Sequence, residues 1–287
     1  MAKYHNLGLK VICYFSAGTY EPFRGASQEM LKVEGLVQTK MKEWDENWLD
    51  YRKEGIKPFM TERMDLAVKK GCDGVEFDNV DAFVNTKWPN PLTANDQITF
   101  NRWLAQEAHN RNLAAGLKNC VSLLNNLVND FDFAINESCS KYTECPRYSV
   151  FLNQNKPVFT ALYGLISDDK FVDKICSQIS NLPLSIIIKD PDQSLKYPYV
   201  LFEYHSHCIK EATTTTTIKT TTTAVATATA TIQHSTKIHS LPYSYNGKCG
   251  AVNGRCPPGQ CCNQQGNCGR THLYCNEGCQ PLFGDCH

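Results

Sequence analysis

The stretch 71-GCDGVEFDNVDAF-83 decides how the chain is read. A turn of small residues leads into GVEFD, an apolar run of strand length, yet Asp73, Glu76, Asp78 and Asp81 all fall within it or beside it. A buried carboxylate costs several kcal/mol unless it is paired or hydrogen-bonded, so acids at the end of a buried strand need a reason. Side chains alternate along a strand. Gly74, Glu76 and Asp78 therefore share one face, and Val75 and Phe77 share the other. In a barrel strand, Glu76 then sits one layer inside and Asp78 sits at the mouth.

Similar runs recur on both sides: VICYFSAG (11–18), LAAGLKN (113–119), FDFAINE (131–137), PVFTALYG (157–164) and LSIIIKD (184–190). Short continuous apolar runs of this kind fit buried parallel strands. Helix-like segments lie between them at Thr61–Lys70, Thr93–Asn110 and Asp168–Ile179, and Thr93 to Asp96 has the residues of a helix start. Alternating strands and helices predict an α/β fold with a parallel sheet. The runs end in Asp78, Asn119, Glu137 and Asp190. An α/β barrel gathers such strand ends on one face, where its active site forms. An open doubly wound sheet is the competing arrangement, but no GxGxxG or P-loop supports it. A further short strand near Trp48–Tyr51 brings the count to about seven. A barrel one strand short leaves unpaired edges, which proteins avoid. The opening MAKYHNLGLKVICYF also lacks the apolar core of a secretory signal. Both features lead to the expectation that residue 1 is an internal position of a longer chain.

Asp78 and Glu137 end two different strands. Glycoside hydrolysis uses such a pair: one carboxyl protonates the leaving oxygen, and the other attacks the anomeric carbon or activates water. Strand-end acids also cap helices or pair with Arg and Lys, so the pattern alone leaves both readings open. Taken together, VICYFSAGTYEPFR, WLDYR, RMDLAVKKGCDGVEFDNVDAF, LTANDQITFNRWLAQEAH, GLKN and FDFAINESCSKYTEC resemble glycoside hydrolase family 114 over about 200 residues. The resemblance implies a (β/α)8 TIM-type barrel with endo-α-1,4-galactosaminidase or, under a broader label, α-galactosidase activity. It makes Asp78 the nucleophile and Glu137 the acid/base. It also sets Tyr14, Asp50, Lys118, Asn119 and Tyr163 near the sugar, and makes Glu76 and Asp81 supporting groups or partners of a cationic amino sugar. Three positions depart from the pattern. The Trp-containing first strand is absent, Cys120 stands where Asp often follows GLKN, and Leu162-Tyr163 stands where Glu-Tyr is expected. Leu162 thus reads as the loss of an amine-binding carboxylate.

The cysteines divide the chain. Of fifteen, seven are spread over residues 1–208 and eight crowd into 249–286. Eight in so short a segment mark a disulfide framework and an oxidising compartment. The expected location is therefore extracellular or the cell wall. Within the first region, Cys139 and Cys145 are close enough for a local bridge over the Glu137 loop. Cys13 and Cys72 read as core thiols, His109 as a surface or packing residue, and no spacing supports a metal site. No cofactor is expected. Formal net charge is zero, which leaves no basic footprint for nucleic acid, and no apolar run is long enough to span a membrane.

From Glu211 the chain turns to EATTTTTIKTTTTAVATATATIQHSTKIHS, which cannot bury enough surface to offset its ordering entropy. The expected organisation is a hydrolase domain at 1–210, a Thr-rich linker at 211–246 and a small domain at 247–287. The last is too short for an apolar core and must be held by disulfides. Spacing alone allows 105 pairings. The order CG…CP…CC…CG…YC…C…C is similar to the hevein-type chitin-binding module, carbohydrate-binding module family 18. That resemblance implies the pairs Cys249–Cys262, Cys256–Cys268, Cys261–Cys275 and Cys279–Cys286. It also implies N-acetylglucosamine oligomers or chitin as ligand, held by Asn263, Gln265, Asn267 and Tyr274, of which Tyr274 alone is aromatic. The whole reads as a modular enzyme on a galactosamine-containing polysaccharide. The rivals are a non-catalytic wall-binding protein on a degraded barrel, and a structural disulfide-rich surface protein.

Overall fold

The computed structural model describes residues 1–180, 182–193, 199–209, 243–244, 247–250, 253–257, 259–275 and 278–286. The chain forms two compact units, Met1–Lys210 and Glu211–His287. The Thr-rich stretch expected as a linker lies outside the described residues almost throughout.

In the first unit, β1 (Ile12–Ser16) leads into a small antiparallel sheet of β2 (Thr19–Tyr20), β3 (Val37–Lys40) and β4 (Asn47–Leu49). The main sheet continues with β5 (Gly74–Asp78), β6 (Ala114–Lys118), β7 (Phe133–Glu137), β8 (Val158–Tyr163), β9 (Ser185–Lys189) and β10 (Val200–Phe202). Its order is β1-β5-β6-β7-β8-β9-β10. The first six strands are parallel and β10 returns antiparallel to β9. Strand order follows chain order without reversal, which is the singly wound arrangement of a TIM-type barrel. A doubly wound sheet requires a reversal.

All six long apolar runs are strands of this sheet. The seventh is not the one expected: the Trp48–Tyr51 segment lies in the small sheet, where β4 pairs with β2 and β3. Its residues Trp48 and Leu49 are buried, so the apolar pattern was real, but it served a different sheet. The true seventh strand, β10, is too short and too close to Pro198 to announce itself.

Local signals explain the helices. The Ala94–His109 helix opens with a reciprocal cap, in which Asp96 N donates to Thr93 Oγ1 (3.1 Å) and Thr93 N donates to Asp96 Oδ2 (2.8 Å). The Lys57–Lys70 helix has a proline in its first turn and ends at Gly71, whose φ of +74° is the left-handed cap that glycine adopts freely. Asp168 caps the Asp169–Ile179 helix through Lys170 N at 3.0 Å. Phe77, Leu117, Phe131 and Leu162 are fully buried between the sheet and these helices.

Three disulfides brace this unit: Cys13–Cys72, Cys139–Cys145 and Cys176–Cys208. Cys13 and Cys72 are thus a bridge and not core thiols. They lie 59 residues apart in sequence, so neither the spacing nor the apolar neighbours reveal that β1 and the turn before β5 meet. Cys120 is the free, buried cysteine.

In the second unit, a two-stranded ribbon of β11 (Cys261–Cys262) and β12 (Cys268–Gly269) precedes a short helix, His272–Cys275. Its core is sulfur: Cys249, Cys256 and Cys262 are buried. The bridges are Cys249–Cys262, Cys256–Cys268, Cys261–Cys275 and Cys279–Cys286.

Candidate active site

The carboxyl ends of the parallel strands open into a cavity of about 400 Å³. Its floor is built from every second residue of the strands, as alternation requires. Tyr14 comes from β1, Glu76 and Asp78 from β5, Lys118 from β6, Glu137 from β7 and Tyr163 from β8.

Lys118 stands at the centre. It is 5% exposed, and its Nζ lies 2.9 Å from Glu76 Oε1, 3.0 Å from Glu137 Oε1 and 3.7 Å from Asp78 Oδ1. Burial works against the ammonium charge, but Asp78, Glu76 and Glu137 outweigh it and hold its pKa above the ordinary lysine value. Burial pushes Glu76 up, with Lys118 pulling the other way. One cation among three carboxylates leaves the cluster short of positive charge.

Each strand-end acid has a tyrosine. Tyr14 Oη donates to Asp78 Oδ2 at 2.9 Å. Tyr163 stands beside Glu137 in the lining, and the carboxylate acts on its phenol. Burial first, and the adjoining carboxylate second, push both phenols upward, so they remain donors. Asn79 N donates to the other oxygen, Asp78 Oδ1, at 2.9 Å. Asn119 Oδ1 accepts from Glu137 N (3.0 Å) and fixes the strand end. Because Lys118 Nζ lies 3.7 Å from Asp78 Oδ1 and 3.0 Å from Glu137 Oε1, those two oxygens are at most about 6.7 Å apart.

The four acids of the opening stretch therefore divide by position. Asp73, at the far end of β5, anchors the N-terminal segment by accepting from Val11 N (2.8 Å) and pairing with Lys10 (3.0 Å) and His5 (2.9 Å). Glu76 and Asp78 face the cavity. Asp81 lies behind it, before the short Ala82–Asn85 helix, where burial and then the charge of Asp78 push its carboxyl from 3.8 to about 6.

Two expected sugar neighbours do not line the cavity. Asp50 is buried in a two-pronged pair with Arg52, with both contacts at 2.9 Å. Asp81 is likewise outside the lining. The two departures at 120 and 162 also lie outside it. Cys120 is buried against Asn101 Nδ2 at 3.7 Å. Leu162 is 0% exposed and faces the helices, because it precedes the cavity-facing Tyr163. A carboxylate at that position would point away from a sugar, so Leu162 is no lost amine ligand. His109 pairs with Asp132 at 2.8 Å on the surface.

Sequence reasoning missed Trp44, Glu46, Asn79 and Gln193, which complete the lining. Asn79 sat in the quoted stretch beside Asp78. Trp44 and Glu46 lie between β3 and β4, where no strand-end pattern directs attention.

In the small unit, Asn263 Oδ1 accepts from Asn267 N (2.9 Å) and Asn267 Oδ1 accepts from Lys248 Nζ (2.7 Å). The Asn263 side chain is thus engaged in the ribbon turn and that of Asn267 with Lys248, Gln265 is exposed, and the Tyr274 ring packs over Gly269.

Comparison with known proteins places this geometry. A family model described as glycoside-hydrolase family GH114 matches residues 1–211. The crystal structure of Aspergillus fumigatus Ega3 in complex with galactosamine is 32% identical, with 70% of this chain and 82% of that chain covered and a TM-score of 0.64. The glycoside hydrolase domain of PelA from Pseudomonas aeruginosa is 14% identical over 69% of this chain and 83% of that one, with a TM-score of 0.51. The second likeness shows the fold alone. A chitin deacetylase from Pestalotiopsis sp is 51% identical over 39 residues, which is 13% of either chain. The chain spans about an eighth of the length of the first curated relatives it matches.

Proposed function

The chain belongs to glycoside-hydrolase family GH114, and from that premise we propose that it hydrolyses α-linked galactosamine-type polysaccharide through Asp78 and Glu137. The observation that carries this reading is the pair of carboxylates on separate strand ends, both in reach of Lys118. Their oxygen separation of at most about 6.7 Å, taken from the Lys118 contacts of 3.7 and 3.0 Å, accommodates the roughly 5–5.5 Å spacing of retaining enzymes, and double displacement is the reading proposed.

In the first step Asp78 attacks the anomeric carbon while the Glu137 carboxyl gives its proton to the departing glycosidic oxygen. In the second, Glu137 takes a proton from water, the water oxygen attacks the anomeric carbon, and Asp78 leaves. Tyr14 and Asn79 hold the Asp78 oxygens, Asn119 holds the Glu137 backbone, and Tyr163 lines the cavity beside Glu137. Lys118 offsets whichever carboxylate carries charge at each stage.

An amino sugar fits the excess of carboxylates over cations in the cavity, and galactosamine is the ligand named for the Ega3 structure. The seven disulfides suit secretion to the exterior or cell wall. The C-terminal unit, as a chitin-binding module, would hold the enzyme against polysaccharide and raise its local concentration.

The test is release of reducing ends from α-1,4-linked galactosamine polymer. The parent chain should release them, and Glu137→Gln should lose about 10²–10⁴-fold in kcat while keeping a cooperative unfolding transition. A folded parent that releases none would sink the assignment.

A further inference from the structure

We infer that the hairpin between β3 and β4 is a substrate subsite, in which Trp44 carries one face of a sugar and Glu46 binds the free ammonium of an unacetylated amino sugar. The inference rests on the reading of the cavity as a polysaccharide site and adds the specificity element that the strand-end acids do not supply.

The hairpin is rigid at its base. Met41 N donates to Glu46 O (2.8 Å), Asn47 Nδ2 donates to Gln38 O (2.9 Å), and the following Trp48 and Leu49 are buried. The tip nonetheless presents Trp44, 59% exposed, to the same cavity that holds Asp78 and Glu137. A large aromatic left open at the tip of a braced hairpin beside a carboxylate-rich cavity offers a flat apolar face for a sugar and a π-face for a cation.

Glu46 is the carboxylate best placed to take that cation. Glu76 already holds Lys118 at 2.9 Å. Glu46 is half-buried in the lining, and its Oε2 accepts from Thr19 Oγ1 at 2.5 Å. Among the described residues no Lys, Arg or His forms an ion pair with it. The nearby cations are engaged elsewhere: Arg24 with Glu21 at 2.5 Å, Arg63 with Glu21 at 3.5 Å and Lys40 with Asp45 at 2.7 Å. Burial, and the charges of Glu21 and Asp78, raise its pKa against the Thr19 bond and the more distant charge of Arg24, which pairs with Glu21. A desolvated acid facing other acids with no cation of its own is stabilised by a ligand that brings one.

Position is fixed through a chain of hydrogen bonds. Glu46 is held by Thr19, Thr19 by Ser16, and Ser16 Oγ accepts from Asn79 Nδ2 at 2.9 Å. Asn79 in turn donates its backbone N–H to Asp78. Glu46 is thus tied to the Asp78 residue through Thr19, Ser16 and Asn79, which fixes the subsite relative to the strand-end acid.

The test compares kcat/KM on fully deacetylated and on N-acetylated galactosamine oligomers for the parent chain, Glu46→Gln and Trp44→Ala. Gln keeps the acceptor for Thr19 and removes only the charge, and thermal unfolding confirms the fold of each variant. The parent should prefer the deacetylated oligomer. Glu46→Gln should lower that preference about tenfold or more, mainly through KM, and Trp44→Ala should raise KM on both. A parent that cleaves oligomers while Glu46→Gln keeps the same preference would overturn the subsite. A parent that cleaves neither oligomer would instead overturn the function on which it rests.

Discussion

Asp81 shows how little a residue's type says about its task. It sits three positions after Asp78 and looked like part of the same constellation, yet it lies outside the cavity with its carboxyl pushed up to about 6. Between the ordinary carboxylate value of 3.8 and about 6, the folded chain holds a proton that the unfolded chain has released. Stability from this group therefore falls as pH rises through that window, and below it the burial penalty is absent. Asp81→Asn removes the titration. Its stability relative to the parent should improve by about 1–2 kcal/mol between pH 4 and pH 7, read from urea unfolding at each pH. A constant difference across that range would show that Asp81 does not carry the raised pKa. Asp78 and Glu137 were legible as strand-end acids, and Glu76 by alternation from Asp78, whereas Tyr14, Lys118 and Tyr163 came only from the family resemblance. Asp50 was not separable from them, because its bidentate Arg52 partner is two residues away and looks like any charged neighbour.

Among the elements, the loop after β7 is the one most tied to chemistry. Glu137 closes that strand, and Cys139–Cys145 closes the short turn that follows, with Asn136 Oδ1 accepting from Cys139 N at 2.7 Å. A bridge this close to the carboxylate proposed as acid/base should limit its wandering as well as stabilise the fold. The double change Cys139→Ser with Cys145→Ser should cost about 2–3 kcal/mol. It should also lower kcat more than it raises KM. A loss of stability with kcat unchanged would make the bridge a fold brace alone. The sequence revealed the six long strands, since parallel strands buried on both faces leave continuous apolar runs. The small sheet escaped as a unit because its strands are two to four residues long, and only the segment of β4 stood out as apolar. With it went Trp44 and Glu46.

On the scale of the whole molecule, the unreversed strand order separates a barrel from a doubly wound sheet, a choice that periodicity alone could only favour. The C-terminal cysteine order pointed to a small disulfide-built unit, because at that length little else can hold a fold. What the spacing could not show is that the Asn263 side chain is engaged in the ribbon's own turn and that of Asn267 with Lys248. Binding to chitin would then fall mainly on Tyr274. Pull-down of the full chain on chitin beads should succeed, and Tyr274→Ala should weaken it several-fold. Retention unchanged by that substitution would move the binding face elsewhere on the unit.

If Asp78 and Glu137 cleave an α-glycosidic bond by double displacement, as proposed, the anomeric form of the first product is fixed. Proton NMR during cleavage of an α-1,4-galactosamine oligomer should show the α-anomer appearing first and mutarotating later. The β-anomer appearing first, or no cleavage by the folded chain, would contradict the account.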